Sequence, residues 1–72
     1  MRVAQDNTPV AQNLRRIIQE KGMKQGAVAQ RAGYDPQQLS DMIRGRKIIR
    51  PIDIAALAKA LRVEIKDLFS PG

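Results

Sequence analysis

Gln37, Gln38, Ser40 and Asp41 place four hydrogen-bonding side chains within five residues, and Arg44, Arg46, Lys47 and Arg50 then put four cations into seven with no acid among them. A primary amide can accept from adenine N6–H while donating to N7, and a carboxylate can accept from cytosine N4–H. Guanidinium and ammonium groups need only charge and reach to hold a phosphate. Polar groups leading into cations therefore suit the reading of base edges followed by anchorage to a backbone. Several of these residues also have plainer uses. Asp35-Pro36-Gln37-Gln38 fits a capping box in which Gln38 reaches back to the Asp35 backbone N–H. Asp41 can pair with Arg44 three positions on. Tyr34, the single tyrosine, either bonds a phosphate or covers the edge of the core.

The segment that must position these groups is QGAVAQRAGYDPQQLSDMIRGR, residues 25–46. It reads as two short helices separated by Gly33, whose missing Cβ permits the left-handed conformation that ends a helix. The first spans about Gln25 to Ala32 and buries Val28, Ala29 and Ala32. Gly26 weakens it by about 1 kcal/mol relative to alanine, so packing must hold it. Asp35 and Pro36 supply a cap and a first helical position for the second, about Pro36 to Arg44, which Gly45 stops. Its Leu39, Met42 and Ile43 point inward at helical spacing. The remaining face is the polar one described above.

Around this unit, residues 1–8 read as a mobile polar arm containing Arg2, and residues 9–70 as one domain. Thr8 and Pro9 open a helix with Val10, Leu14, Ile17 and Ile18 on one face, ending near Lys21 with Gly22 beyond. Arg46 to Arg50 is a loop. Pro51 opens a helix with an apolar stripe of Ile54, Leu57, Ala58 and Leu61. A fifth helix, about Ile65 to Phe69, returns Ile65, Leu68 and Phe69 to the core before Ser70, Pro71 and Gly72 end it. Of the neighbours Ile48 and Ile49, one can point inward while the other is left as a contact for a second copy.

Seventy-two residues make one domain, with a net charge of +6 and neither cysteine nor histidine. Disulfides and thiolate or imidazole metal sites are excluded, and no metal or cofactor is expected. No apolar run approaches the roughly 20 residues that cross a bilayer, and the N-terminus lacks a signal-peptide core. A cytoplasmic protein is the expectation. Two aromatic residues are too few for a base-stacking RNA platform. Without histidine, phosphate-cradling loop or acidic cluster, an enzyme is rejected. Asp53, Glu64 and Asp67 read as acids at helix starts, favoured by the positive dipole end.

The order of helices, Gln25 at the head of the second, Ala29 and Gly33, Gly45 and the tail LAKALRVEIKDLF resemble the phage repressor/Cro-type (XRE-like) helix-turn-helix family over about residues 10–70. The resemblance implies an all-α, five-helix lambda-repressor-like domain, bacterial or phage-encoded and nucleoid-associated. Its third helix would enter the major groove, and it would bind two-fold operators on double-stranded DNA as a homodimer. It further implies that Gln25, at its helix N-terminus, contacts a phosphate, that Gln37 is the foremost base reader and that Asp41 is a second. Gln38 and Ser40 flank them, and Arg46 and Lys47 touch the backbone alongside Arg44. Dimer contacts would come from later helices, with Phe69 and Leu68 as alternatives to Ile48 and Ile49. Ile18 and Ile43 stand where many members have a buried arginine–glutamate pair, an exchange of little or no cost to stability. Lys24 replaces the usual capping Ser or Thr, leaving an N–H uncapped or open to a phosphate oxygen. The implied function is a sequence-specific transcriptional regulator, acting as a repressor. The alternative is a protein-interaction module of antitoxin type, which an apolar or acidic third-helix face would favour.

Overall fold

A computed structural model describes residues 8–70, and every element in it is helical. The expectations for residues 1–7, Arg2 included, and for Pro71 and Gly72 lie outside the described residues. Four α-helices follow one another: α1 Thr8–Glu20, α2 Gln25–Ala32, α3 Pro36–Ile43 and α4 Pro51–Leu61. The apolar face of α1 buries Val10, Leu14, Ile17 and Ile18, and that of α4 buries Ile54, Leu57, Ala58 and Leu61. Between them lie Val28, Ala29, Leu39 and Met42 from α2 and α3. Ala32 and Ile43, expected inside, are half-buried at its margin.

The turns follow from the glycines. Gly33 sits at φ +88°, and the next amide, Tyr34 N–H, reaches back to the Ala29 carbonyl at 2.8 Å. This closes α2 in a Schellman turn and swings the chain directly into α3. At the end of α4 the same closure occurs without glycine. Arg62 takes φ +59°, while Val63 N–H bonds the Ala58 carbonyl at 3.0 Å. An L-residue is held there against a cost of roughly 1–2 kcal/mol.

The expected fifth α-helix is instead a single 3-10 turn, Ile65–Leu68. Its bonds run from Asp67 N–H to the Glu64 carbonyl at 2.9 Å and from Phe69 N–H to the Lys66 carbonyl at 3.0 Å. The Asp67 carboxylate takes the Glu64 N–H at 3.0 Å, and the Ser70 hydroxyl donates to the Lys66 carbonyl at 3.0 Å. So short a segment, stopped at both ends, suits the tighter bonding of a 3-10 turn. It delivers one side chain to the core, Leu68, and leaves Ile65 and Phe69 about half exposed, contrary to their expected burial. Buried Asn13 fastens the turn to α1 by donating from Nδ2 to the Leu68 carbonyl at 2.8 Å.

Candidate nucleic-acid interface

On α3 the polar face divides by its own hydrogen bonds. Gln37 is exposed, and its Nε2 donates to Asp41 Oδ1 at 3.0 Å, one turn along. Asp41 therefore takes Gln37 rather than Arg44, the plainer partner its spacing also allowed. Gln38 Oε1 accepts the Asp35 N–H at 2.9 Å, as the capping box requires. That bond turns the oxygen back onto the cap, so Gln38 presents its amide hydrogens outward, and a bidentate adenine contact would require it to leave the cap. Ser40 is half-buried beside Asp41.

At the start of α2, Lys24 holds the N-cap position in an extended conformation and makes no side-chain cap bond. The first intrahelical bond is Val28 N–H to the Lys24 carbonyl at 3.1 Å. The N–H groups of Gln25, Gly26 and Ala27 thus precede the helical ladder at its positive end, where an oxyanion is favoured. Lys24 and Gln25 are both exposed there. Beyond α3, the Asp41 carbonyl gathers the N–H groups of Arg46 at 2.8 Å and Lys47 at 3.2 Å. This folds the loop back on α3 and leaves the side chains of Arg44, Arg46 and Lys47 exposed.

Tyr34 has a partner that its place in the turn did not reveal. Its hydroxyl donates to Oδ1 of Asp53, a carboxylate only 1% exposed in the first turn of α4. Asp53 Oδ2 accepts the Arg50 backbone N–H at 2.9 Å and Arg50 Nε at 3.2 Å. Burial, reinforced by the bond to Asp53, pushes the Tyr34 phenol up to about 12. Burial also opposes the charge on Asp53, but the bonds from Tyr34 and Arg50 outweigh it and hold the carboxyl below its usual range. The Tyr34 proton is thereby committed within the fold rather than offered to a phosphate. The sequence placed Arg50 among the cations after α3 and Asp53 at a helix start, but joined neither to Tyr34. The only local signal was an acid three residues after Arg50.

Of the suggested contacts between copies, Ile49 is 3% exposed and belongs to the core, so it cannot serve. Its neighbour Ile48 is 54% exposed, and Phe69 is 55% exposed. Ile52, unremarked from sequence, is exposed more than either.

Residues 14–68 match the family model described as helix-turn-helix. The uncharacterized HTH-type transcriptional regulator y4dJ of Sinorhizobium fredii is 39% identical over 62 residues, 86% of this chain and 80% of that protein. Among solved structures, the restriction-modification controller protein C.AhdI from Aeromonas hydrophila superposes with a TM-score of 0.83 at 31% identity, over 90% of this chain and 98% of that one. The clp gene regulator ClgR from C. glutamicum gives 0.82 at 26% identity, over 86% of this chain and 80% of that one. These relatives are named as regulators, not as enzymes.

Proposed function

This chain belongs to the helix-turn-helix family, and from that premise we propose that it is a sequence-specific double-stranded-DNA-binding transcriptional regulator, acting as a repressor and as a homodimer. The observation that carries the reading is exposed Gln37 on α3, bonded to half-buried Asp41 one turn along and set between an α2 N-terminus without a side-chain cap and a cationic loop. Helix α3 lies in the major groove with Gln37 over a base pair and Asp41 one turn behind it. Ser40 and the free amide hydrogens of Gln38 lie alongside. Gln25, Lys24 and the open N–H groups of α2 take one phosphate, while Arg44, Arg46 and Lys47 take others. Phosphate contacts set affinity and orientation, whereas the α3 side chains set the sequence preference.

Ile48 and Phe69 are the proposed contacts between copies, because each is an apolar side chain left about half exposed. The same surface also supports a second reading, a module that docks another protein. Selection of bound duplexes from a random library tests both readings. DNA regulation predicts a recovered site of two related half-sites, bound far more tightly than random duplex at physiological salt. A ratio near one would leave only the protein-docking alternative.

A further inference from the structure

Arg50 lies outside the readout helix, yet it is the cation whose side chain the fold holds most firmly in this region. Its Nε is fixed on Asp53 Oδ2 at 3.2 Å, and Asp53 is itself fixed by Tyr34. Tyr34 immediately precedes Asp35 and Pro36, the cap and first residue of α3. The guanidinium therefore stands one carboxylate away from the turn that opens the readout helix, although Arg50 and Tyr34 are distant in sequence. Its side chain is nonetheless 66% exposed, and the Nη groups take no acceptor among the described residues. A buried carboxylate that holds an arginine by Nε leaves the outer edge of the fork preset for a second oxyanion. An unanchored lysine or arginine must instead lose side-chain freedom on binding.

We propose that Tyr34 and Asp53 are positioning residues that preset Arg50 as a phosphate contact beside the N-terminus of α3. Helix and backbone anchor are thereby locked in one relative placement. The inference rests on the DNA-binding reading and adds to it a residue and a mechanism. Because a phosphate contact is indifferent to sequence, Arg50 raises affinity for every duplex. The readout then works from a fixed starting position.

Duplex binding measured against salt tests it in four proteins: wild type, Arg50→Gln, the double variant Tyr34→Phe/Asp53→Leu, and the triple variant. The double variant exchanges the polar pair for an apolar contact between α4 and the turn. It removes the anchor together with the bond that caps α4, so its helix content is first matched to wild type by circular dichroism. Arg50→Gln is expected to weaken matched and random duplexes alike by about tenfold, the loss of one charge-assisted contact. It also makes the slope of log affinity against log salt shallower by about 0.9. In the double-variant background the same substitution is expected to cost at most about threefold, since an unanchored arginine has less to lose. An unchanged affinity and slope for Arg50→Gln overturns the contact. An equal loss in both backgrounds overturns the positioning role of Tyr34 and Asp53. Wild-type protein that binds no duplex overturns the DNA reading itself, an outcome distinct from the other two.

Discussion

The amide of Gln37 carries two hydrogens on Nε2, and the bond to Asp41 uses one of them. The other hydrogen and Oε1 remain for adenine N7 and N6–H, so the bond to Asp41 leaves the proposed reader able to make a bidentate contact. Gln37→Ala is expected to lose about 1–3 kcal/mol of discrimination at a single base pair. Asp41→Ala keeps the preferred base with a narrower margin, yet binds all duplexes more tightly because a carboxylate near phosphate has gone. Binding-site selection with both variants separates these effects, and an unchanged profile for Gln37→Ala would remove it from the readout. Tyr34 offers a second residue-level test. Its phenol stays neutral to about 12 in the fold but ionises near pH 10 once unfolded. Its contribution to stability is therefore complete below about pH 10 and lost as pH rises toward 12. With one tyrosine and no tryptophan in the chain, the near-ultraviolet phenolate band reads it alone. A midpoint near 10 in folded protein would contradict the Asp53 bond. Asp53 acts at the other extreme: its carboxyl is depressed, so its contribution is present above about pH 4 and lost as pH falls through its lower folded value.

Helix ends decide how these residues are presented, and two of them can be tested against each other. Gly33 and Arg62 both adopt left-handed backbone, but only the glycine does so without steric cost. Gly33→Ala is expected to destabilise by about 1–2 kcal/mol. Arg62→Gly should stabilise by about 0.5–1 kcal/mol, the relief of strain less the extra freedom of the unfolded glycine. Chemical denaturation measures both, and a stabilised Gly33→Ala would mean that α2 does not end in this turn. The bounds of α2 and the start of α3 were legible because glycine, proline and capping residues act within a few positions of themselves. The apolar stripes of α1 and α4 were legible because helical period marks a buried face. The Tyr34–Asp53 bond spans 19 positions and the Asn13–Leu68 bond spans 55, and no local pattern encodes such a meeting. Ile65 and Phe69 failed for another reason: apolar character permits burial but does not require it, and a 3-10 turn has room to bury only part of its length. At the interface, residue types identified the amides and the cations. How each amide is presented depended on Gln38 being drawn into the cap by its oxygen and Gln37 onto Asp41 by its nitrogen.

At the scale of the whole molecule, 72 residues carry a net charge of +6 and leave Ile48, Ile52, Ile65 and Phe69 more than half exposed. A domain this small buries only about 60% of the surface its unfolded chain exposes, so its margin of stability is narrow. Association of two copies would cover apolar surface, and it would double the cations presented to one duplex. These two consequences bind self-association to DNA affinity, and replacing Phe69 by serine separates them from the fold. Because Phe69 is 55% exposed, Phe69→Ser should lower the intrinsic stability of one copy by only about 1 kcal/mol, the loss of its half-buried ring. If Phe69 lies between copies, sedimentation of the wild type shows a dimer that the variant shifts toward monomer. The unfolding temperature of the wild type then rises with protein concentration while that of the variant does not. Operator affinity falls for the variant, and its dependence on protein concentration steepens because two monomers must meet on the DNA. The phosphate contacts within each half-site are untouched, so saturating amounts of variant give the same footprint as wild type. A wild type that sediments as monomer at all concentrations, with Phe69→Ser indistinguishable from it on the operator, would place the contact between copies elsewhere on the surface or show that one copy suffices.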